Sequence, residues 1–241
     1  MKKLSLSLLA LLLLPSPAFA GAVTGWGATD GFGAVPLSKG TSVLDLRLNA
    51  SFPSKSVALP IVNFATGAFE GIEIGIGSGF NCSSLGEKTN RNSVEVVYPW
   101  LRAALPIQGM KTGVILGASI PGFNSSSEFM PGASALLDLP TGALTTSLNA
   151  GYARGTRSNS NWADGNLAFT LPWNGLTLYE EQFVNYPLEK ANVPNGGLRV
   201  SLIVPLGDRL TLDLNPAFLW ARNGTTTDWV FSPNLGIDYT F

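Results

Sequence analysis

The chain has 241 residues, of which 45% are hydrophobic and only 13% are charged, and it carries a formal net charge of −1 with no histidine and one cysteine. This balance excludes a basic nucleic-acid-binding domain, and the single Cys82 excludes an internal disulfide. The charged share is about half of that found in ordinary globular domains.

The first twenty residues have the pattern of a secretory signal peptide. Lys2 and Lys3 precede an apolar run, Leu4 to Leu14, and Ala18-Phe19-Ala20 forms a small-x-small cleavage site. The run is too short for a membrane-spanning helix, so we predict cleavage after residue 20 and export from the cytoplasm. The mature chain, 21–241, then has 13 basic and 16 acidic residues, a net charge of about −3.

From residue 41 onward, apolar and polar residues alternate, and this period of two predicts β-strands rather than helices. We count roughly twelve segments of about 8–12 residues, the length that a tilted membrane-spanning strand needs. In chain order they are 44–51, 57–65, 72–77, 94–100, 114–120, 133–139, 144–152, 163–171, 176–183, 198–204, 210–215 and 228–241.

The connections between these segments fall into two classes that alternate along the chain. Tight connections occupy 140–142, 172–175 and 205–208, and longer polar ones occupy 81–92, 121–128, 155–161, 185–195 and 221–227. Short turns at one end and longer loops at the other are typical of outer-membrane barrels, with the short turns in the periplasm. The tight turns recur at a spacing of about 33 residues, but the period of two argues against a helical repeat.

We therefore predict an all-β fold, a transmembrane antiparallel up-and-down β-barrel of about 12 strands that comprises residues 41–241. The alternative is a secreted β-sandwich, whose outer faces would carry more charged residues than these strands do. Aromatic residues near strand ends fit the interfacial girdles of a membrane barrel. They are Tyr98, Trp100, Tyr152, Trp162, Trp173, Trp220 and Trp229.

The last eight residues, NLGIDYTF, resemble the C-terminal assembly signal of bacterial outer-membrane β-barrel proteins. The residues that carry the resemblance are Asn234, Gly236, Tyr239 and the terminal aromatic Phe241. It implies that the protein resides in the bacterial outer membrane, among its lipids, and that the outer-membrane assembly machinery recognises its last strand.

Two shorter segments resemble stretches of sequence in transporters of the phenol-degradation MetA-pathway type. They are Glu70 to Gly77, with alternating glycines, and Thr227-Asp228-Trp229 before the last strand. Those proteins are barrels thought to carry small organic compounds, so this resemblance implies a small-molecule solute as the partner.

Enzymatic functions are disfavoured by the residue types present. The outer-membrane phospholipase, the lipid A deacylase and the omptin proteases all use a catalytic histidine, which this chain lacks. Cys82 lies in a polar segment without a partner base, and Glu180 and Glu181 point to opposite faces of a strand, which we interpret as a solvated strand end. We predict no enzymatic activity, no metal and no cofactor.

We predict a channel for small solutes whose lumen is lined by the polar face of the strands. The candidate lining residues are Asp45, Arg47, Glu73, Glu95, Asp138, Asn149, Asp164, Asn166, Arg199, Asp213 and Asp238. They comprise seven acids and two bases, and an acid-rich tunnel concentrates cations. Alternatively, these charges pair with one another and define no ion path.

Two further questions stay open at the level of sequence. The glycine-rich residues Gly21 to Gly40 form either a plug in the lumen or a periplasmic lead. The barrel as a whole is either a channel or a structural, surface-binding barrel with an occluded lumen, although its loops are short for a binding surface. The oligomeric state is not predicted.

Overall fold

The computed structural model describes residues 33–51, 56–82, 93–122, 128–156, 161–189, 194–223 and 226–241, and it describes no side chain for 49–61, 79–96 and 223. The predicted signal peptide, residues 1–20, lies outside these ranges, as do residues 21–32 of the glycine-rich segment. Within the described ranges, no helix is long and apolar enough to cross a membrane.

The described chain forms fourteen β-segments joined into one sheet. They are β1 (Ser42–Ser51), β2 (Ser56–Phe69), β3 (Ile72–Cys82), β4 (Ser93–Leu105), β5 (Lys111–Pro121), β6 (Met130–Thr141), β7 (Leu144–Arg154), β8 (Asn161–Trp173), β9 (Leu176–Pro187), β10 (Asn195–Pro205), β11 (Leu210–Leu214), β12 (Ala217–Asn223), β13 (Thr226–Ser232) and β14 (Asn234–Thr240).

The sheet closes on itself, because the first segment pairs with the last. Each segment from β1 to β10 lies antiparallel to its neighbours in sequence, β11 and β12 both pair with β10, and β14 pairs with β11 and with β1. The segments β11 and β12 are two halves of one span, as are β13 and β14, so the wall has 12 strands. The predicted fold class, a closed antiparallel barrel, is confirmed, and a two-sheet sandwich is excluded.

Two prolines cause the interruptions in the last two spans. Pro216 precedes β12 and Pro233 separates β13 from β14, and a proline cannot donate a ladder hydrogen bond. Beside the break, Asn215 and Asn234 donate their backbone N–H groups to each other's carbonyl oxygens, at 2.9 and 3.1 Å. The two spans therefore stay in register across the break.

Several strands run further than the alternation predicted. The predicted loop 185–195 is wrong at both ends, since β9 continues to Pro187 and β10 begins at Asn195. Most of the predicted loop 221–227 also belongs to strands, β12 and β13. The backbone ladder continues through these polar residues because its hydrogen bonds do not depend on side-chain polarity.

The barrel has two distinct ends. At the turn end, short connections follow β2, β4, β6, β8 and β10, and the Phe241 amide donates to the Ser42 carbonyl at 2.8 Å, which brings the first and last spans together. The connection of β8 to β9 consists of Asn174 and Gly175, whose φ angles of 50° and 81° suit a two-residue hairpin turn. At the opposite end, the loop end, the connections that follow β3, β5, β7 and β9 are longer, whereas β12 and β13 are joined by only two residues.

The two faces of the wall are chemically opposite. Large apolar side chains are exposed on the outer face, among them Leu46, Leu48, Ile74, Ile76, Leu116 and Ile237. The residues that alternate with them point inward and are buried, and many of them are charged or amides. An apolar exterior around a polar interior is the arrangement typical of a transmembrane β-barrel.

Candidate functional site

The inner face of the barrel, the lumen wall, holds the predicted lining residues. The structure places every one of them whose side chain it describes on this face: Asp45, Arg47, Glu73, Asp138, Asn149, Asp164, Asn166, Arg199, Asp213 and Asp238. The side chain of Glu95 lies outside the described set. Strand alternation alone fixes this placement, because inward and outward positions follow a period of two.

An arginine cluster links the two ends of the chain. The Arg47 Nε donates to both carboxylate oxygens of Asp45, at 3.0 and 2.8 Å, and its Nη1 donates to Asp213 Oδ2 at 2.8 Å. Asn63 Nδ2 donates to Asp45 as well, at 2.8 Å. The Arg47 side chain crosses β14 above Gly236, where a Cβ would lie 3.4 Å from Arg47 Cγ. The cluster therefore connects β1 to β11 across the last strand.

A second ion pair lies near the turn end on β3 and β4. The Arg102 guanidinium donates to the Glu73 carboxylate, and the Trp100 indole Nε1 donates to the same carboxylate at 3.0 Å. The indole has space because its neighbour is Gly75, where a Cβ would lie 2.1 Å from the ring. The prediction that Trp100 and Tyr98 belong to an interfacial girdle is wrong, since Trp100 is buried in the lumen and Tyr98 packs against the same buried apolar cluster. Arg102 is not among the predicted lining residues, although its alternation with Leu101 and Ala103 marks it as inward-facing.

A third ion pair joins β9 to β10. Arg199 Nη1 donates to Glu181 Oε2 at 2.8 Å, and the Asn166 amide donates to the other oxygen of that carboxylate. Glu181 is 1% exposed, so its interpretation as part of a solvated strand end is wrong. Its neighbour Glu180 faces outward, as expected, and accepts a hydrogen bond from Gln182 at 3.0 Å.

The chain that precedes β1 lies inside the barrel. We call residues 33–39 the N-terminal segment. The Ala34 backbone N–H donates to Asp138 Oδ2 at 2.8 Å, and the Leu37 N–H donates to Glu73 Oε2 at 3.0 Å. These two carboxylates belong to β6 and β3, so the segment crosses the inner wall near the turn end.

Further contacts hold both ends of the N-terminal segment. Arg102 Nη1 donates to the Gly33 carbonyl at 3.0 Å, and Lys39 forms a parallel bridge with Gly67 on β2. At Gly67 a Cβ would lie 2.1 Å from the Ser38 carbonyl oxygen, so the missing side chain lets the segment approach the wall. The contacts fix the path of the segment through backbone groups as well as through side chains.

The lumen has an apolar part and a polar part. The apolar part lies beside the N-terminal segment, and its buried members are Ala34, Ala65, Trp100, Ile115, Leu136 and Ala153. Buried acids, amides and hydroxyls from β1 to β3, β6 to β11, β13 and β14 line much of the remainder. The N-terminal segment packs against the apolar part through Ala34 and Leu37.

Most of the charge in the lumen is paired. The described inner face carries seven acids, since Glu181 joins the six predicted acids whose side chains are described, and three arginines. Four of the acids, Asp45, Asp213, Glu73 and Glu181, form ion pairs with these arginines. The described part of the chain holds no group of three or more His, Cys, Asp or Glu residues that could bind a metal.

The residues of the predicted assembly signal lie on the last strand. Tyr239 and Phe241 are on the outer face, with ring centroids 4.9 Å apart in an edge-on contact. Gly236 points inward beneath Arg47, and Asn234 Nδ2 donates to the Ser232 carbonyl at 3.1 Å. Recognition of this strand by an assembly machinery stays a prediction.

Solved structures of outer-membrane porins and channels share this barrel architecture. The NanC porin aligns with a TM-score of 0.62 and 13% identity over 81% of this chain and 98% of its own. An outer membrane channel from Pseudomonas putida F1 aligns with a TM-score of 0.63 and 11% identity over 88% and 100%. The KdgM porin, solved in complex with disordered oligogalacturonate, aligns with a TM-score of 0.55 and 10% identity over 83% and 99%.

The chain has the fold of a porin-type barrel. The likeness concerns the fold alone, since the identities are low. No family model matches the sequence, and no curated protein is similar to it in sequence.

Proposed function

We propose that this protein is a channel of the bacterial outer membrane that passes small solutes through a narrow lumen. The observation that carries the proposal is the closed barrel with an apolar exterior and a charged, hydrogen-bonded interior. A barrel in lipid satisfies every backbone polar group without an exposed edge. The porin-type folds of the structural neighbours support the same function and the same location.

The pore is narrow for two reasons. Barrels of about eight strands fill their own interior and those of sixteen or more leave an open channel, so a barrel of 12 strands lies between them. In addition, the N-terminal segment takes up part of the lumen at the turn end, where it is bound to Asp138 and Glu73. We propose that the glycine-rich residues 21–40 act as a partial plug rather than as a periplasmic lead, on the evidence of the contacts of residues 33–39.

The charge of the lumen favours cationic or neutral solutes over anions. Seven acids face three arginines on the described inner wall, and an excess of one sign repels ions of that sign. Polyanions such as the oligogalacturonate bound by KdgM are disfavoured on this ground. The resemblance to MetA-pathway transporters adds small organic compounds to the candidate solutes and stays a proposal.

No enzymatic role and no cofactor are part of this proposal. The partners that it implies are outer-membrane lipids, the assembly machinery that recognises the strand ending in Phe241, and the solute itself. A structural barrel with an occluded lumen is the competing function, and the ion pairs across the inner wall are the observation that favours it.

The test is the single-channel conductance of refolded chain 21–241 in a planar bilayer under a KCl gradient. We expect a steady conductance with a cation-selective reversal potential, because the inner wall has excess acid. The folded state of each preparation is checked by its heat-dependent shift in electrophoretic mobility. Silence from demonstrably folded barrels would contradict the channel and favour the structural barrel.

A further inference from the structure

Asp164 on β8 is a buried acid of the lumen that takes part in none of the described ion pairs. Its described contact is a hydrogen bond of 3.4 Å from the Ser134 hydroxyl to Oδ2. The side chain is 8% exposed, and its Oδ1 has no hydrogen-bond partner. A buried carboxylate with an unsatisfied oxygen is costly, so its presence calls for a partner that the chain itself does not supply.

The wall has a specific place for this carboxylate. Asp164 lies opposite Gly151 on β7, which in turn lies opposite Ser134 on β6. A Cβ at Gly151 would lie 2.4 and 2.5 Å from the two carboxylate oxygens. Only a glycine on β7 therefore lets the Asp164 side chain lie flat across that strand and reach Ser134.

Two amide oxygens beside Asp164 are also unsatisfied. Asn166, on the same face of β8, donates its Nδ2 to Glu181, and its Oδ1 has no partner. Asn185 on β9 is the register partner of Asp164 and donates its Nδ2 to Asn195 Oδ1 at 2.7 Å, which leaves its own Oδ1 without a partner. Three acceptor oxygens on two adjacent strands thus lack donors among the described residues.

This surplus of acceptors determines the chemistry of a ligand. A group that binds here must donate several hydrogen bonds and carry positive charge, which ammonium and guanidinium groups do with three and five N–H donors. We propose that Asp164, Asn166 and Asn185 form a binding site for the ammonium or guanidinium group of a permeating solute. The inference rests on the proposed channel function and names its solute class.

The position of the site along the channel fits this role. Asp164 follows the first residue of β8, Asn161, by three positions and so lies near the loop end of the barrel. The N-terminal segment lies at the opposite, turn end. A solute that enters from the loop end meets the site formed by Asp164, Asn166 and Asn185 first. It reaches the part of the lumen narrowed by the N-terminal segment afterwards.

The experiment compares guanidinium with tetramethylammonium, a cation without N–H donors, as blockers of the potassium current through the barrel. We expect millimolar guanidinium to reduce the current more than tetramethylammonium does. Asp164→Asn should weaken the guanidinium effect about tenfold, because one charge-assisted hydrogen bond is lost. Asp208→Asn, which removes an acid from an exposed turn, is the matched control and should leave the effect unchanged.

Calorimetric titration of the detergent-folded barrel with guanidinium separates this site from channel function. Binding that disappears in Asp164→Asn supports the site even if the barrel conducts no current, in which case the proposed function alone fails. A conducting barrel that both cations block equally, or that Asp164→Asn leaves unaltered, overturns the site. The variant should fold at least as stably as the parent, since a buried amide costs less than a buried carboxylate; marked destabilisation would assign Asp164 a structural role instead.

Discussion

Deletion of residues 21–38 is expected to raise the single-channel conductance roughly twofold or more, because a barrel of this size has a lumen that one extended segment occupies in large part. The segment is bound through the backbone amides of Ala34 and Leu37 and through the Gly33 carbonyl, and these contacts disappear with it. The deletion retains the isolated parallel bridge of Lys39 to Gly67. The barrel ladder is untouched, so the heat-dependent mobility shift should persist.

A point variant tests the same idea without shortening the chain. In Gly67→Ala, the new Cβ would lie 2.1 Å from the Ser38 carbonyl oxygen, and the nearest atoms around it all belong to Leu37 and Ser38. The segment must leave the wall, and conductance or its fluctuations should increase. Gly207→Ala is the control, since nothing lies within 4 Å of its Cβ position. Unchanged conductance in both the deletion and Gly67→Ala would refute the plug.

Replacement of Arg47 by methionine should cost about 3–5 kcal/mol of unfolding free energy, the range for breaking a buried ion pair. Asp45 and Asp213 are 0% and 2% exposed and would lose the guanidinium that pairs with both of them. The lost ion pairs connect β1 to β11 across β14. The variant therefore weakens the closure of the barrel between its first and last spans. Urea unfolding in lipid vesicles, followed by tryptophan fluorescence, measures the change.

Two further variants show whether charge is the cause. Arg47→Met combined with Asp45→Asn and Asp213→Asn removes the uncompensated charge and should recover most of the stability. Arg209→Met removes an exposed arginine from a turn and should change stability by about 0.5 kcal/mol or less. A loss below about 1 kcal/mol for Arg47→Met would mean that lumen water solvates the two acids and that the cluster does not hold the barrel closed.

The inward or outward orientation of each strand side chain can be predicted from the sequence because it is a local property of the chain. Alternation around Leu46 or Ile74 assigns each side chain to one side of the wall, whatever its neighbours are. Local polarity, by contrast, marks neither the end of a strand nor an exposed position. Asn185 continues a strand because its backbone is paired on both sides, and Glu181 is buried because Arg199 on the next strand compensates its charge.

The candidate site needed information that no single strand contains. Arg47 and Asp213 are separated by 166 positions and meet because β14 lies between their strands. Trp100 faces inward by alternation, and its ring fits there because Gly75 on the neighbouring strand leaves space for it. Asp164 depends on Gly151 in the same way. These pairs follow from the register between strands, which alternation within one strand does not determine.

The sequence by itself determined that this chain forms a barrel with an apolar exterior, and it predicted six of the seven acids on the described inner face, all but Glu181, since a period of two is set residue by residue. Only the tertiary structure decided which of those acids are neutralised, where the N-terminal segment runs and which acceptors lack donors. The physical reason is that pairing, burial and satisfaction of hydrogen bonds belong to groups from several strands at once.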